Sequence, residues 1–140
     1  MKHIMVIIVL GFLAQSISAQ NAFGTWKTID EETGEPKSVV RVYEEDGLIY
    51  GEIMELFLKP NADQNPVCEN CKGEKKGQPI IGMVIMEGLS KSGTEYSGGT
   101  IIDPDSGKIY DCKIWLDGKN KLMVRGYVGL FFRTQEWIRI

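Results

Sequence analysis

The sequence predicts an all-β protein of eight antiparallel strands, arranged as an up-and-down barrel or a sandwich. Three observations carry that prediction. Between Tyr96 and Tyr127 apolar and polar residues alternate: Tyr110, Cys112, Ile114 and Leu116 share one face, Asp111 and Lys113 the other. A period of two with one wet face means antiparallel sheet. Tight-turn signals punctuate the same stretch. Asp103–Gly107 (DPDSG) joins a fixed-φ proline to a glycine suited to φ > 0, and Asp117–Asn120 (DGKN) carries the Asp-Gly hairpin dipeptide. Finally, no convincing helical period appears anywhere in the domain.

Taken in order, the chain opens with a basic start (Lys2, His3), an apolar run from Ile4 to Leu13 and a small-residue exit ending at Ala19. That is the pattern of a secretory signal peptide, and the run is too short to span a bilayer as a helix. Residues 1–19 are therefore read as a signal peptide and residues 20–140 as one domain, placed in the periplasm or outside the cell. No membrane span remains after cleavage. The first strand runs from Gln20 to Ile29 and contains Phe23-Gly24-Thr25-Trp26. A charged turn, Asp30–Lys37, leads to a β-branched second strand, Ser38–Tyr43. After the Glu44–Gly47 turn comes a third strand, Leu48–Phe57, in which Gly51 marks a bulge or bend. The stretch from Lys59 to Pro79 is long, polar and proline-bearing, which reads as a functional or clipped loop. Ile80–Glu87 resumes as a near-continuous apolar strand. The three strands between Tyr96 and Tyr127 follow, and Phe132–Ile140 closes the chain.

Charge and composition narrow the chemistry. The formal net charge is −3, and loss of Lys2 with the leader makes it more negative. Such a balance does not suit nucleic acid or an anionic membrane surface. The chain has one histidine, His3, and it lies in the leader. The domain therefore lacks Ser-His and Cys-His nucleophile activation as well as histidine metal ligands. The expectation is a non-enzymatic protein with no cofactor and no metal site.

Cys68 and Cys71 sit three positions apart in the long loop, and in an exported protein a disulfide is the favoured reading. Zinc would need Cys112 or carboxylates to complete its ligands, and a redox pair would need a helix N-terminus or a basic neighbour. Cys112 alternates with apolar residues and reads as a small buried side chain. Asp103–Gly107 superficially resembles a calcium loop but lacks the later acidic ligands, so a hairpin turn accounts for it. Glu52, Glu55 and Glu87, which fall within apolar strands, read as outward charges on a solvated face. Arg125, Arg133 and Arg139 divide between two roles, binding an anionic ligand head or packing over an aromatic ring and facing water.

Two patterns then suggest a family. Gly24-Thr25-Trp26 matches the G-x-W motif of lipocalin-like (calycin) barrels, in which an arginine of the last strand packs over the tryptophan; Arg139 is its counterpart. More broadly, the chain carries Gln64-Asn65-Pro66 before a cysteine, Gly82 opening an apolar strand and G-x-I-x-D-P-x-x-G-K-x-Y from Gly99 to Tyr110. Met123-Val124-Arg125-Gly126-Tyr127 and Trp137-Ile138-Arg139 complete the set. Together these resemble the DUF2147 family of exported bacterial proteins over essentially the whole mature chain. One departure is the Cys68-x-x-Cys71 pair, which stands where relatives often carry arginines. The resemblance implies an eight-stranded antiparallel up-and-down barrel, lipocalin-like, with Gly24, Trp26 and Arg139 as its structural signature. On that fold the leading expectation is a small apolar or amphipathic ligand held in the barrel, with Tyr50, Met54, Met83, Tyr110 and Tyr127 as candidate contacts. The alternative is an envelope protein partner that docks on the 59–79 loop of a barrel with a filled core.

Overall fold

The computed structural model describes residues 21–140, so the leader expected at residues 1–19 lies outside the described residues. Eight strands follow one another: β1 (Gly24–Ile29), β2 (Pro36–Glu45), β3 (Leu48–Leu56), β4 (Val84–Ser92), β5 (Glu95–Ile102), β6 (Ile109–Asp117), β7 (Lys121–Val128) and β8 (Phe131–Arg139). Each strand pairs antiparallel with the next, and β8 returns to β1 through Trp26–Arg139 and Lys27–Ile138. The result is a closed up-and-down barrel, which leaves no sheet edge exposed.

Strand order fixes two ends. The lower end gathers residues 21–23, Ile140 and the β2–β3, β4–β5 and β6–β7 turns. The upper end gathers the β1–β2 turn, the 57–83 connection, the β5–β6 turn and the β7–β8 turn. At the β2–β3 turn both Asp46 and Gly47 take positive φ, 51° and 81°, as the short reversal requires.

Period two sorts side chains between the two faces of each strand. On β6, Cys112 and Ile114 are buried, and their cross-strand partners Gly126 and Val124 share that face with Leu122 and Trp137. With Trp26, Val40, Val42, Ile49, Ile53, Met86 and Leu89 these side chains form the barrel core. Gly51 makes room for this packing: a Cβ there would sit 3.0 Å from Cβ of Met86 and 3.3 Å from a methyl of Val40. The pairing of β3 with β4 also shifts register on both sides of Gly51, as its place in a strand suggested.

The segment expected as a strand from Ile80 begins as one only at Val84. Gly82 holds φ +89°, and its N–H donates to Ile53 O at 2.7 Å, so residues 80–83 form a bracket against β3 instead. Strand β4 then continues past Glu87 to Ser92, with Gly88 absorbing a positive φ of 71° inside it. The apolar run from Ile80 masked this turn because Ile80, Met83 and Ile85 are buried for a different reason.

That reason is an outer part of the same core, here the outer core, lying beyond the barrel wall. Ile85 and Ile102 take outward registers, beside the inward pair Met86–Ile101, yet both are buried. The 57–83 connection covers them with Cys68, Cys71, Ile80 and Met83. Its two arms form a miniature ladder: Cys68 N–H donates to Gln78 O, Gly77 N–H to Cys68 O and Ile80 N–H to Pro66 O, at 2.8, 2.9 and 3.0 Å. A short 3-10 turn at Gly73–Lys75 closes the tip. Lys75 reaches Glu87 on the outer wall at 2.5 Å, and Asn70 Nδ2 donates to Asp105 O at 2.9 Å.

Candidate functional site

The lower end is sealed by a clasp around Trp26, which is fully buried. Its indole N–H donates to Ala22 O at 2.9 Å. The Arg139 guanidinium lies 4.2 Å from the ring centroid and donates three hydrogen bonds to backbone carbonyls. Those carbonyls belong to Lys119, Phe23 and Asn21, so one side chain ties the N-terminal segment to the β6–β7 turn. Gly24 completes the unit. It holds φ +125°, and a Cβ there would stand 3.1 Å from Arg139 Nη1. Gly24, Trp26 and Arg139 thus meet as one arrangement, and it closes the barrel structurally.

The upper half differs in kind. Inward-register Leu56, Ile101, Tyr110, Gly126 and Gln135 are only partly buried, although they line the concave face. Water therefore reaches part of the inner wall from the upper end, and this partly exposed upper interior is called the cup. Its wall is mixed. Tyr110 packs over Gly126, with its Cβ 3.2 Å from where a Cβ on that glycine would be. Near the upper ends of β1 and β2, Thr28 and Ser38 share a hydroxyl–hydroxyl hydrogen bond of 2.6 Å, both buried. Gln135 accepts a long bond from the Trp137 indole at 3.4 Å and keeps its amide nitrogen for other partners. Cys112 lies on the same wall beside Gly126. Burial pushes its thiol up to about 12, so it stays protonated and unreactive near neutral pH.

Of the five residues expected to contact a ligand, Tyr110 faces the cup. Tyr50 stacks on Tyr43 at 5.7 Å on the outer face, in line with the Arg41–Glu52 ion pair. Tyr127 also points outward, against Phe132 at 6.0 Å and beneath Lys113. Met54 is exposed, and Met83 is buried in the core from the bracket before β4. The cup residues that sequence reasoning missed are Leu56, Ile101, Gln135 and the Thr28–Ser38 pair. Alternation places each on a face but does not say which level of the barrel it lines; register alone supplies that.

Of the remaining charged candidates, the glutamates and Arg125 lie on the outer surface, whereas Arg133 stands opposite Gly126 in the inward register at the upper rim. Glu52 pairs with Arg41 and Glu87 with Lys75, while Glu55 is exposed. Asp103 accepts the N–H of Asp105 at 2.9 Å inside its turn. Arg125 packs between Trp115 and Phe132, 4.8 and 4.3 Å from their centroids, and bonds Thr134 at 2.7 Å. Arg133 pairs with Glu31 across the β8–β1 seam. Asp30 heads the turn that carries Glu31. Its carboxylate accepts the N–H groups of Thr33 and Glu32, and those bonds hold it below the usual carboxylate range. Cys68 and Cys71 are joined in a disulfide, buried within the outer core, and Cys112 is free and buried.

A sealed lower end, a closed eight-stranded meander and an open upper cup define a lipocalin-like barrel. The solved structure of protein HP1028 from the human pathogen Helicobacter pylori, described as belonging to the lipocalin family, superposes with a TM-score of 0.74. That likeness covers 87% of this chain and 84% of that one at 17% identity, and it concerns the fold. The family model of DUF2147, described as an uncharacterized protein conserved in bacteria, matches residues 24–139, and the chain belongs to that family. No curated protein matches the sequence.

Proposed function

We propose that this is a non-enzymatic, exported binding protein that holds a small amphipathic ligand in the upper cup of its barrel. The observation that carries this reading is the contrast between the two halves of the interior. The lower half is filled by Trp26, Trp137, Leu122 and Ile114, whereas Ile101, Tyr110 and Gln135 in the upper half are inward residues left only partly buried. Apolar walls with a few polar groups are what small-molecule sites present. Here Leu56, Ile101 and the Tyr110 ring would take the apolar part, and the Gln135 amide and Tyr110 hydroxyl the polar part. The filled lower half restricts the ligand to a short molecule. A disulfide persists in oxidising compartments, which supports a periplasmic or secreted location together with the leader expected at residues 1–19.

A second reading rests on the outer wall. The 57–83 connection is braced rather than slack, and beside it lies a depression of about 290 Å³ lined by residues that include Lys75, Gln78, Ile81 and Val84. A protein partner in the envelope would dock there. Titration with 1-anilinonaphthalene-8-sulfonate separates the two readings. The cup reading predicts saturable single-site binding that weakens about tenfold or more in Ile101→Trp, which fills the cup, and is unchanged in Ile81→Ser. The reverse pattern would reject the cup and favour the outer wall.

A further inference from the structure

The β7–β8 hairpin ends in an apolar tip where most hairpins place polar turn residues. Val128, Leu130, Phe131 and Phe132 are 56, 97, 83 and 59% exposed, around Gly129 at φ +59°. Ile109 joins them. Asp111 pairs with Tyr127, and continuing that register brings Ile109, itself 62% exposed, level with Gly129. Five large apolar side chains thus cap one side of the upper rim. A projecting tip of exposed apolar side chains on both faces of a hairpin marks an interaction site rather than ordinary surface.

We infer that this cap docks the protein on a phospholipid membrane surface by inserting the hairpin tip into the interface. Two observations select that occupant. The first is size and shape. A stable protein interface engages about 20–30 residues a side and about 800 Å² per partner, and a five-residue projecting tip offers a second copy far less. A lipid interface has no such requirement, because it deforms around a wedge of Leu and Phe side chains. The second is local charge. The molecule as a whole is acidic, but three cations flank the cap directly, with the acids Asp111 and Glu31 alongside them. Exposed Lys108 precedes Ile109, Arg133 follows Phe132, and the Arg125 guanidinium lies 4.3 Å from the Phe132 ring centroid. Cations flanking an aromatic and aliphatic tip match phosphates above acyl chains. Arg133 shares its charge with Glu31, so the insertion is carried by the apolar tip and steadied by Lys108 and Arg125. Among the described residues no helix is long and apolar enough to cross a membrane. The proposed contact involves the hairpin tip alone, and it does not depend on what the cup holds.

The test is sedimentation with vesicles of phosphatidylethanolamine and phosphatidylglycerol at about 3:1, a composition that offers anionic phosphates for the flanking cations. The protein used begins at Gln20, which retains all eight strands and the Asn21–Arg139 clasp. The protein should pellet with vesicles, and the double variant Leu130→Ser/Phe131→Ser should lose about tenfold or more of its partitioning, with an unchanged melting curve because both residues are exposed. A Phe131→Trp variant should shift its emission to the blue on vesicles. Absence of binding, or binding that survives the serine variant, overturns the inference. So does an ultracentrifugation result in which the wild type is a dimer that the serine substitutions dissolve, since a second copy would then be the occupant.

Discussion

Trp26 shows how one side chain serves sequence motif, packing and closure together. It is buried in the lower core, bonded to Ala22 O and roofed by Arg139. Trp26→Ala removes a large core side chain and should cost about 3–5 kcal/mol in denaturant unfolding; a loss under about 1 kcal/mol would contradict its role. This pairing was legible in the sequence through Gly24-x-Trp26 and a terminal arginine. The three carbonyls that Arg139 gathers were not, because backbone acceptors leave no trace in residue identity. Cys112 adds a pH prediction. Its thiol is raised from 9.0 to about 12, so the folded chain keeps a proton that the unfolded chain releases. That contribution is intact below about pH 9 and is lost as pH rises toward 12. Unfolding midpoints should therefore fall less between neutral pH and about pH 10 in Cys112→Ala than in the wild type. Equal falls would mean that the thiol is not buried.

At the scale of elements, the 57–83 connection is the part least visible from sequence. Its polar composition read as a loop, and the Cys68–Cys71 bond as a clip, and the clip is present. What the composition hid is the outer core beneath it, because outward-register Ile85 and Ile102 belong to strands whose other face fills the barrel. Gly107 is the hinge of this packing. It holds φ +73°, and a Cβ would collide with the Asn70 carbonyl. Gly107→Ala should therefore free the connection from the β5–β6 turn, and amide exchange at Cys68, Gly77 and Ile80 should accelerate while the β6–β7 amides stay protected. Reducing the disulfide should act in the same place. A ring closed over three residues restrains the unfolded chain less than the ~3 kcal/mol expected for a 15-residue loop, so the barrel should remain folded. Cooperative loss of the whole barrel on reduction would refute that separation of inner and outer cores.

For the whole molecule, alternation and turn signals sufficed for eight strands and their meander, since each hairpin is local in sequence. Closure of β8 on β1 is not local, and only the Trp26–Arg139 resemblance pointed to it. The division into a packed lower half and an open cup was not legible at all, because it depends on which inward residues share a level. Tyr110 was found because it is an inward aromatic on a clearly alternating strand; Tyr50 and Tyr127 were not separable from it by residue type. The central claim is that the cup holds a ligand, and native mass spectrometry of protein purified from its own cell envelope tests it most directly. The account predicts a stoichiometric small-molecule adduct on the wild type that is missing from Ile101→Trp prepared in the same way. A wild-type protein that carries no adduct, or an adduct retained equally by Ile101→Trp, would contradict it.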